Sequence, residues 1–130
     1  MEKVLIISYF FPPCNLTASQ RANSWAKEFK NFGYEPVVIT RNWEIPISNP
    51  QDSLKDTGNS VVHEINNDYE AYYLPYKSSL RDKIYIKFGN ERFTILRKIL
   101  SFIEIILQNF FIGIVPYRNI YYFSKEFLQL

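Results

Sequence analysis

The residues of this 130-residue chain best suited to chemistry lie in the stretch FPPCNLTASQR, from Phe11 to Arg21. Pro12 and Pro13 stiffen a turn, and Ala18 and Ser19 are small enough to let a ligand approach the backbone. Arg21 offers a planar fork of donors that suits a phosphate or a carboxylate. A helix starting nearby would add free N–H groups for the same anion. The competing reading makes Pro12-Pro13 a plain turn and Arg21 a solvated helix residue. Neither GxGxxG nor GxxxxGK[ST] occurs, so no standard nucleotide fingerprint supports the loop. Trp43 is a candidate platform for a sugar ring, with anchoring of its own loop to the core as the alternative. Cys14, the only cysteine, reads as a small buried hydrophobe or a reactive thiol. His63, the only histidine, has no evident base or metal partner nearby and reads as a strand surface residue. No metal-ligand cluster, nucleophile–base pair or internal repeat is present.

Elements on either side must position that loop. Val4 to Ile7 form a continuous apolar run, expected as a strand buried on both faces of a parallel sheet and ended by the two prolines. Asn15, Thr17 and Ser19 are N-cap candidates for a helix carrying Ala22, Trp25, Ala26, Phe29 and Phe32 at spacings of three and four. Gly33 sits where a left-handed C-cap is expected, and Pro36 to Thr40 (PVVIT) reads as a second strand. Strand, loop, helix and strand fit in about forty residues, the size of a βαβ unit. Ligands bind at the carboxyl ends of such strands, which is where the loop lies.

Residues 42 to 60, with Pro46, Pro50 and Gly58, read as an irregular excursion of the kind that borders binding sites. SVVHEI and EAYYLPY then predict two short strands joined through Asn66-Asn67-Asp68 at hairpin-like spacing. Hydrophobic content of 47% and aromatic content of 18% argue against disorder. A net charge of +2 excludes a strongly polyanion-binding chain, and no nucleic-acid partner is expected. The amino terminus reads as a strand and not as a signal peptide, and one cysteine fits a reducing, cytoplasmic compartment.

Positive charge is concentrated between Lys77 and Lys98, where seven basic residues face two acidic ones, whereas the preceding 76 residues hold six basic and nine acidic. FTILRKILSFIEIILQNFFIGIV follows directly, with Thr94, Arg97, Lys98, Ser101, Glu104 and Gln108 forming one narrow polar stripe at helical spacing. The apolar face is wider than a surface helix needs. Three readings compete: a membrane span, interrupted by Glu104, Gln108 and Asn109; a core helix; and an interfacial helix pressed into a bilayer, with Arg97 and Lys98 as membrane-facing residues of a basic collar. The basic block could equally hold an acceptor phosphate. Pro116-Tyr117 is expected to break the helix before a last helical segment running to Leu130.

The order VLIISYFFPP, small-residue loop with Arg21, WAKEFKNFGYEPVVIT and YEAYYLPY resembles the start of a family-4 glycosyltransferase of the GT-B fold, over residues 3–76. Pro12, Pro13, Ala18, Ser19, Arg21, Gly33, Tyr34 and Glu35 occupy the matching places, and Tyr69 to Pro75 is similar to the later strand ending in Leu-Pro. Ala18 stands where the usual loop glycine would be. The resemblance implies an α/β chain: an incomplete Rossmann-like domain with a parallel sheet core, a hairpin-like strand pair and C-terminal helices. Residues 1–76 would be the βαβ core with extra strands, and residues 77–130 the basic and apolar helices. It further implies sugar transfer with retention from a nucleotide-sugar donor to a lipid-linked or polysaccharide acceptor, without a cofactor. In the substrate site so implied, Pro12 and Pro13 would shape the turn, Ala18 and Ser19 would lie near the donor phosphates or acceptor, Arg21 would contact an anion, and Trp43 would be the sugar platform. The donor's paired-glutamate motif has no counterpart here, so the expectation is an acceptor-side fragment, inactive alone. Two other classes stand beside it: a non-catalytic flavodoxin-like domain binding an anion at the same loop, and a membrane-surface adaptor resting on residues 77–115.

Overall fold

The β-branched runs read from the sequence pair into one four-stranded sheet of order β1-β2-β4-β3, from β1 (Glu2–Ser8), β2 (Tyr34–Arg41), β3 (Val62–Ile65) and β4 (Glu70–Leu74). The structure is a computed structural model that describes residues 1–43, 47–110 and 118–129. β1 runs parallel to β2 from Glu2↔Tyr34 to Ser8↔Thr40, and β2 parallel to β4 from Val37↔Glu70 to Arg41↔Leu74. Only β3 is antiparallel, joined to β4 by a tight turn in which Asn66 Oδ1 accepts from the amides of Asp68 and Tyr69. The fold is thus mixed α/β with an open, mostly parallel sheet, compatible with a Rossmann-like arrangement. Four helices accompany it among the described residues: α1 (Thr17–Glu28), α2 (Leu80–Phe88), α3 (Thr94–Phe110) and α4 (Arg118–Leu128).

Period-two alternation sorts the strand side chains onto two faces. Ile6, Val38, Ala71 and Tyr73 meet Ala22 and Ala26 of α1 on one face. Leu5, Ile39, Leu74 and Tyr72 meet Ile120, Phe123 and Phe127 of α4 on the other. Asn119 pins the start of α4 by donating to the Pro75 carbonyl at 2.8 Å.

Four local expectations change. β1 is not buried on both faces, because β4 pairs with β2 and leaves β1 at the edge; Ile6 is buried but Ile7 is 52% exposed. α1 turns its small residues Ser19, Ala22 and Ala26 inward, which lets its backbone lie close to the sheet and leaves Trp25 exposed, as is Phe32 in the 3-10 turn Phe29–Phe32 that follows. Its N-cap is Leu16, whose side chain has no acceptor to cap with, and Ser19 Oγ instead donates back to the carbonyls of Cys14 and Leu16, each at 2.7 Å. Gly33 does take the left-handed cap, at φ 85°. The excursion after β2 is tied down rather than structureless: a short 3-10 turn spans Asp52–Leu54, and Thr57 bridges Tyr76. The expected break at Pro116-Tyr117 lies outside the described residues.

Candidate functional site

The carboxyl ends of β1, β2 and β4 emerge together, so the segments after them converge. After β1 the chain turns through Phe11, whose carbonyl accepts from the Cys14 amide at 3.0 Å, and the Pro12–Pro13 bond is cis. Pro12 and Pro13 line a cleft of about 390 Å³ with Asn42, Glu64, Tyr69 and Tyr73. Burial raises the pKa of Tyr69 and, more strongly, that of Tyr73, so both phenols stay protonated donors throughout the neutral range. Ala18 and Arg21 lie exposed on the first turns of α1, and Arg21 has no hydrogen-bond or ion-pair partner among the described residues. Ser19 is only 3% exposed, and its hydroxyl is committed to the backbone. The loop therefore presents Pro13, Ala18 and Arg21 outward and withholds Ser19.

Trp43 does not offer a ring face to a sugar. It is 2% exposed, stacks on Phe10 at 5.7 Å and donates from Nε1 to the Tyr9 carbonyl at 3.1 Å. Its ring also covers the guanidinium of Arg41 at 3.9 Å, which Tyr76 approaches at 3.5 Å. Arg41, 2% exposed, donates to Tyr9 Oη and the Ser53 carbonyl, each at 2.6 Å, and more weakly to the Lys55 carbonyl at 3.3 Å. Its Nε has no hydrogen-bond partner among the described residues. Arg41 fills an aromatic cage with its own cation and straps the 51–57 segment across the strand ends. Cys14 is buried nearby, and desolvation raises its pKa, as expected of a small hydrophobe.

A second cleft, of about 310 Å³, opens beside Tyr9 and Tyr76 and is lined by Arg81, Asp82, Ser101 and Glu104. Ser79 caps α2 by accepting from the Asp82 amide at 3.2 Å, which fixes the first turn of the helix that carries Asp82 into the cleft wall. Arg81 grips Asp82 Oδ1 from Nε and Nη2 at 2.9 and 2.7 Å and reaches Glu104 at 3.7 Å. The hydrogen bonds and charges of these carboxylates raise the pKa of Arg81 against the opposing pull of burial. Tyr76 and Asp82 are buried in its wall, so the partly open Tyr9 and Glu104 are the ring and the carboxylate that this cleft presents to a polyhydroxylated ligand. Because both carboxylates face Arg81, the cleft is not strongly cationic, and Arg81 is not a free phosphate contact.

Tyr9, Arg41, Tyr76, Asp82 and Glu104 are the groups at this end that loop reasoning passes over. One of them carried a sequence signal: Asp82 stands three residues after Ser79, a capping spacing. Arg97, one of the two basic residues assigned to a collar, donates to Asn90 Oδ1 at 3.0 Å and sits over the Tyr85 ring at 5.1 Å. Lys98 is exposed. Among the described residues, no group of three or more His, Cys, Asp or Glu is placed to hold a metal ion. Comparison with protein-family models, curated proteins and solved structures yields no match to this chain.

Proposed function

We propose that this chain is the acceptor-side portion of a sugar-transferring enzyme, an incomplete Rossmann-like domain that helps move a sugar from a nucleotide-sugar to a lipid-linked or polysaccharide acceptor. The observation that supports it is the convergence of parallel strands β1, β2 and β4, which carry the Pro12–Arg21 loop and the tyrosine–carboxylate cleft to one end of the sheet. Arg21 and the uncapped start of α1 suit the phosphates of a donor or an acceptor. Tyr9 and Glu104, the partly open groups of the second cleft, suit the hydroxyls of the acceptor sugar. Most of the donor contact falls to a second domain in this reading, so the 130-residue chain alone binds weakly and does not turn over.

Amide chemical-shift mapping tests the reading with UDP-sugars, GDP-sugars and a sugar linked through pyrophosphate to a short isoprenoid. Shifts confined to residues 11–21 and to the second cleft, weakened by Arg21→Ala and by Glu104→Gln, are the expected result. Equal shifts from inorganic phosphate alone would favour a generic anion-binding domain. No shifts at this end of the sheet would end the proposal.

A further inference from the structure

The polar stripe of α3 faces the protein, and its apolar face points away. Ser101 and Glu104 receive Arg81, at 3.4 and 3.7 Å, while Arg97 is drawn back to Asn90 and over Tyr85. These contacts fix the rotation of the helix about its axis. Consequently Ile95, Ile99, Phe102, Ile106 and Phe110, spaced by three or four residues, line the outer side; Ile95 is 76% and Phe110 78% exposed. No residue of α3 is buried. Phe88 and Phe93, both exposed, meet edge to face at 4.9 Å just before α3 begins. Ordinary monomers leave at most ~600 Å² of contiguous apolar surface open, and a helix whose apolar face points outward along its whole length reads as one that is covered in use.

Charge identifies the cover. Lys87, Arg92 and Lys98 are exposed along the same segment, as are Lys77 and Lys83, which lie within charge range of Asp56; within the segment Asp82 is buried and Glu91 is the one exposed acid. A second copy of the chain would bring the same cations together with little to meet them. An anionic lipid surface meets both the apolar face and the cationic rim: acyl chains take the isoleucines and phenylalanines while lysine and arginine stems reach up to the headgroups. No helix of the described residues is long and apolar enough to cross a membrane, so α3 would lie in the plane of the interface.

We propose that α2 and α3 form a docking surface for an anionic bilayer, with Ile95, Ile99, Phe102, Ile106 and Phe110 immersed at the headgroup boundary. The proposal does not rest on sugar transfer, and its assay uses neither donor nor acceptor. Flotation of the 130-residue chain with phosphatidylcholine vesicles containing phosphatidylserine should recover it at low salt, and pure phosphatidylcholine vesicles should recover far less. Changing Lys83, Lys87, Arg92 and Lys98 to Gln should weaken partition by roughly fivefold per cation, with the loss largely abolished at high salt. Phe102→Ser with Ile99→Ser should weaken it at least tenfold on every anionic vesicle. A chain carrying Ile99→Trp in a Trp25→Phe background keeps the apolar face intact. Because buried Trp43 emits to the blue in either case, the readout is quenching by brominated acyl chains in excess of that of the Trp25→Phe chain alone. Absence of that excess quenching, equal binding by the four-fold Gln variant at low salt, or a dimer that the Ser substitutions dissolve while vesicles recover nothing would each overturn the proposal.

Discussion

Replacing Arg41 tests whether a caged cation holds the strand ends together. Arg41→Met keeps most of the side-chain volume and removes the charge and the fork. Three hydrogen bonds from a charged donor are lost, two at 2.6 Å and one at 3.3 Å, together with ring contacts at 3.9 and 3.5 Å. At ~1.5–3 kcal/mol for each charged hydrogen bond and ~1–2 kcal/mol for each desolvated ring, the gross loss is about 8 kcal/mol. Removing a buried charge returns several kcal/mol of desolvation, so the net cost falls to about 3–4 kcal/mol. For a domain of this size that lowers Tm by roughly 10–15 °C. Urea denaturation followed by far-UV circular dichroism measures the global cost, and hydrogen exchange at Thr57 and Tyr76, which exchange backbone hydrogen bonds at 3.0 and 3.3 Å, measures the local one. Arg41→Lys should also destabilise, because an ammonium cannot reach three acceptors in a plane. A Met variant within 1 kcal/mol of the parent chain, with unchanged protection at Thr57, would refute the reasoning.

Further outcomes follow from individual contacts. The Tyr72 hydroxyl donates to Glu70 at 2.6 Å and, with His63 and Lys3, holds the Glu70 pKa below its ordinary value. That stability is present above the ordinary carboxylate pKa of about 4.3 and is lost as pH falls through the lower folded value, so Glu70→Gln should flatten the acid limb of a stability–pH curve. The same bond pushes the Tyr72 pKa up to about 12, so its contribution persists below pH ~10 and disappears as pH rises through that folded value. Two parallel curves for parent and variant would remove this linkage. Cys14, buried and with a raised pKa, should react with a thiol reagent at the rate of local opening; immediate reaction in native buffer would contradict its burial. Trp25→Ala and Phe32→Ser should change stability by less than ~0.5 kcal/mol each, whereas Ala26→Leu should cost ~1–3 kcal/mol through overpacking against Val38; the reverse order would overturn the assigned face of α1.

The strand–loop–helix–glycine–strand order was legible because each signal in it is local: two prolines end the first strand, Gly33 takes its positive φ, and PVVIT becomes the fully buried part of β2. Which strand neighbours which is not a local property. Four consecutive apolar residues report that Val4 to Ile7 can be buried, but the pairing of β4 with β2 decides that Ile7 stays half open. The same limit applies at the site. Pro12, Pro13, Ala18 and Arg21 surface where loop reasoning puts them, whereas Trp43 disappears beneath Phe10 and Arg41, residues brought to it by the sheet. Arg41 reads in sequence as an ordinary charge closing a strand; its cage draws on Tyr9 and Tyr76, far away in the chain on either side. Periodicity located the polar stripe of α3, and Arg81 decided which way the stripe would turn.

The last described helix carries a consequence for how the chain is made. Ile39 and Leu74 lie at the ends of strands already synthesised when Pro75 leaves the ribosome, yet Ile120, which covers them, emerges about 45 residues later, a delay of a few seconds at ordinary rates of synthesis. Until then the α1 half of the sheet is complete while the other side presents Leu5, Ile39 and Leu74 to solvent or to a chaperone. Maturation therefore proceeds as two separate closures, and α4, held at its start by Asn119 on the Pro75 carbonyl, is the part that ends the vulnerable interval.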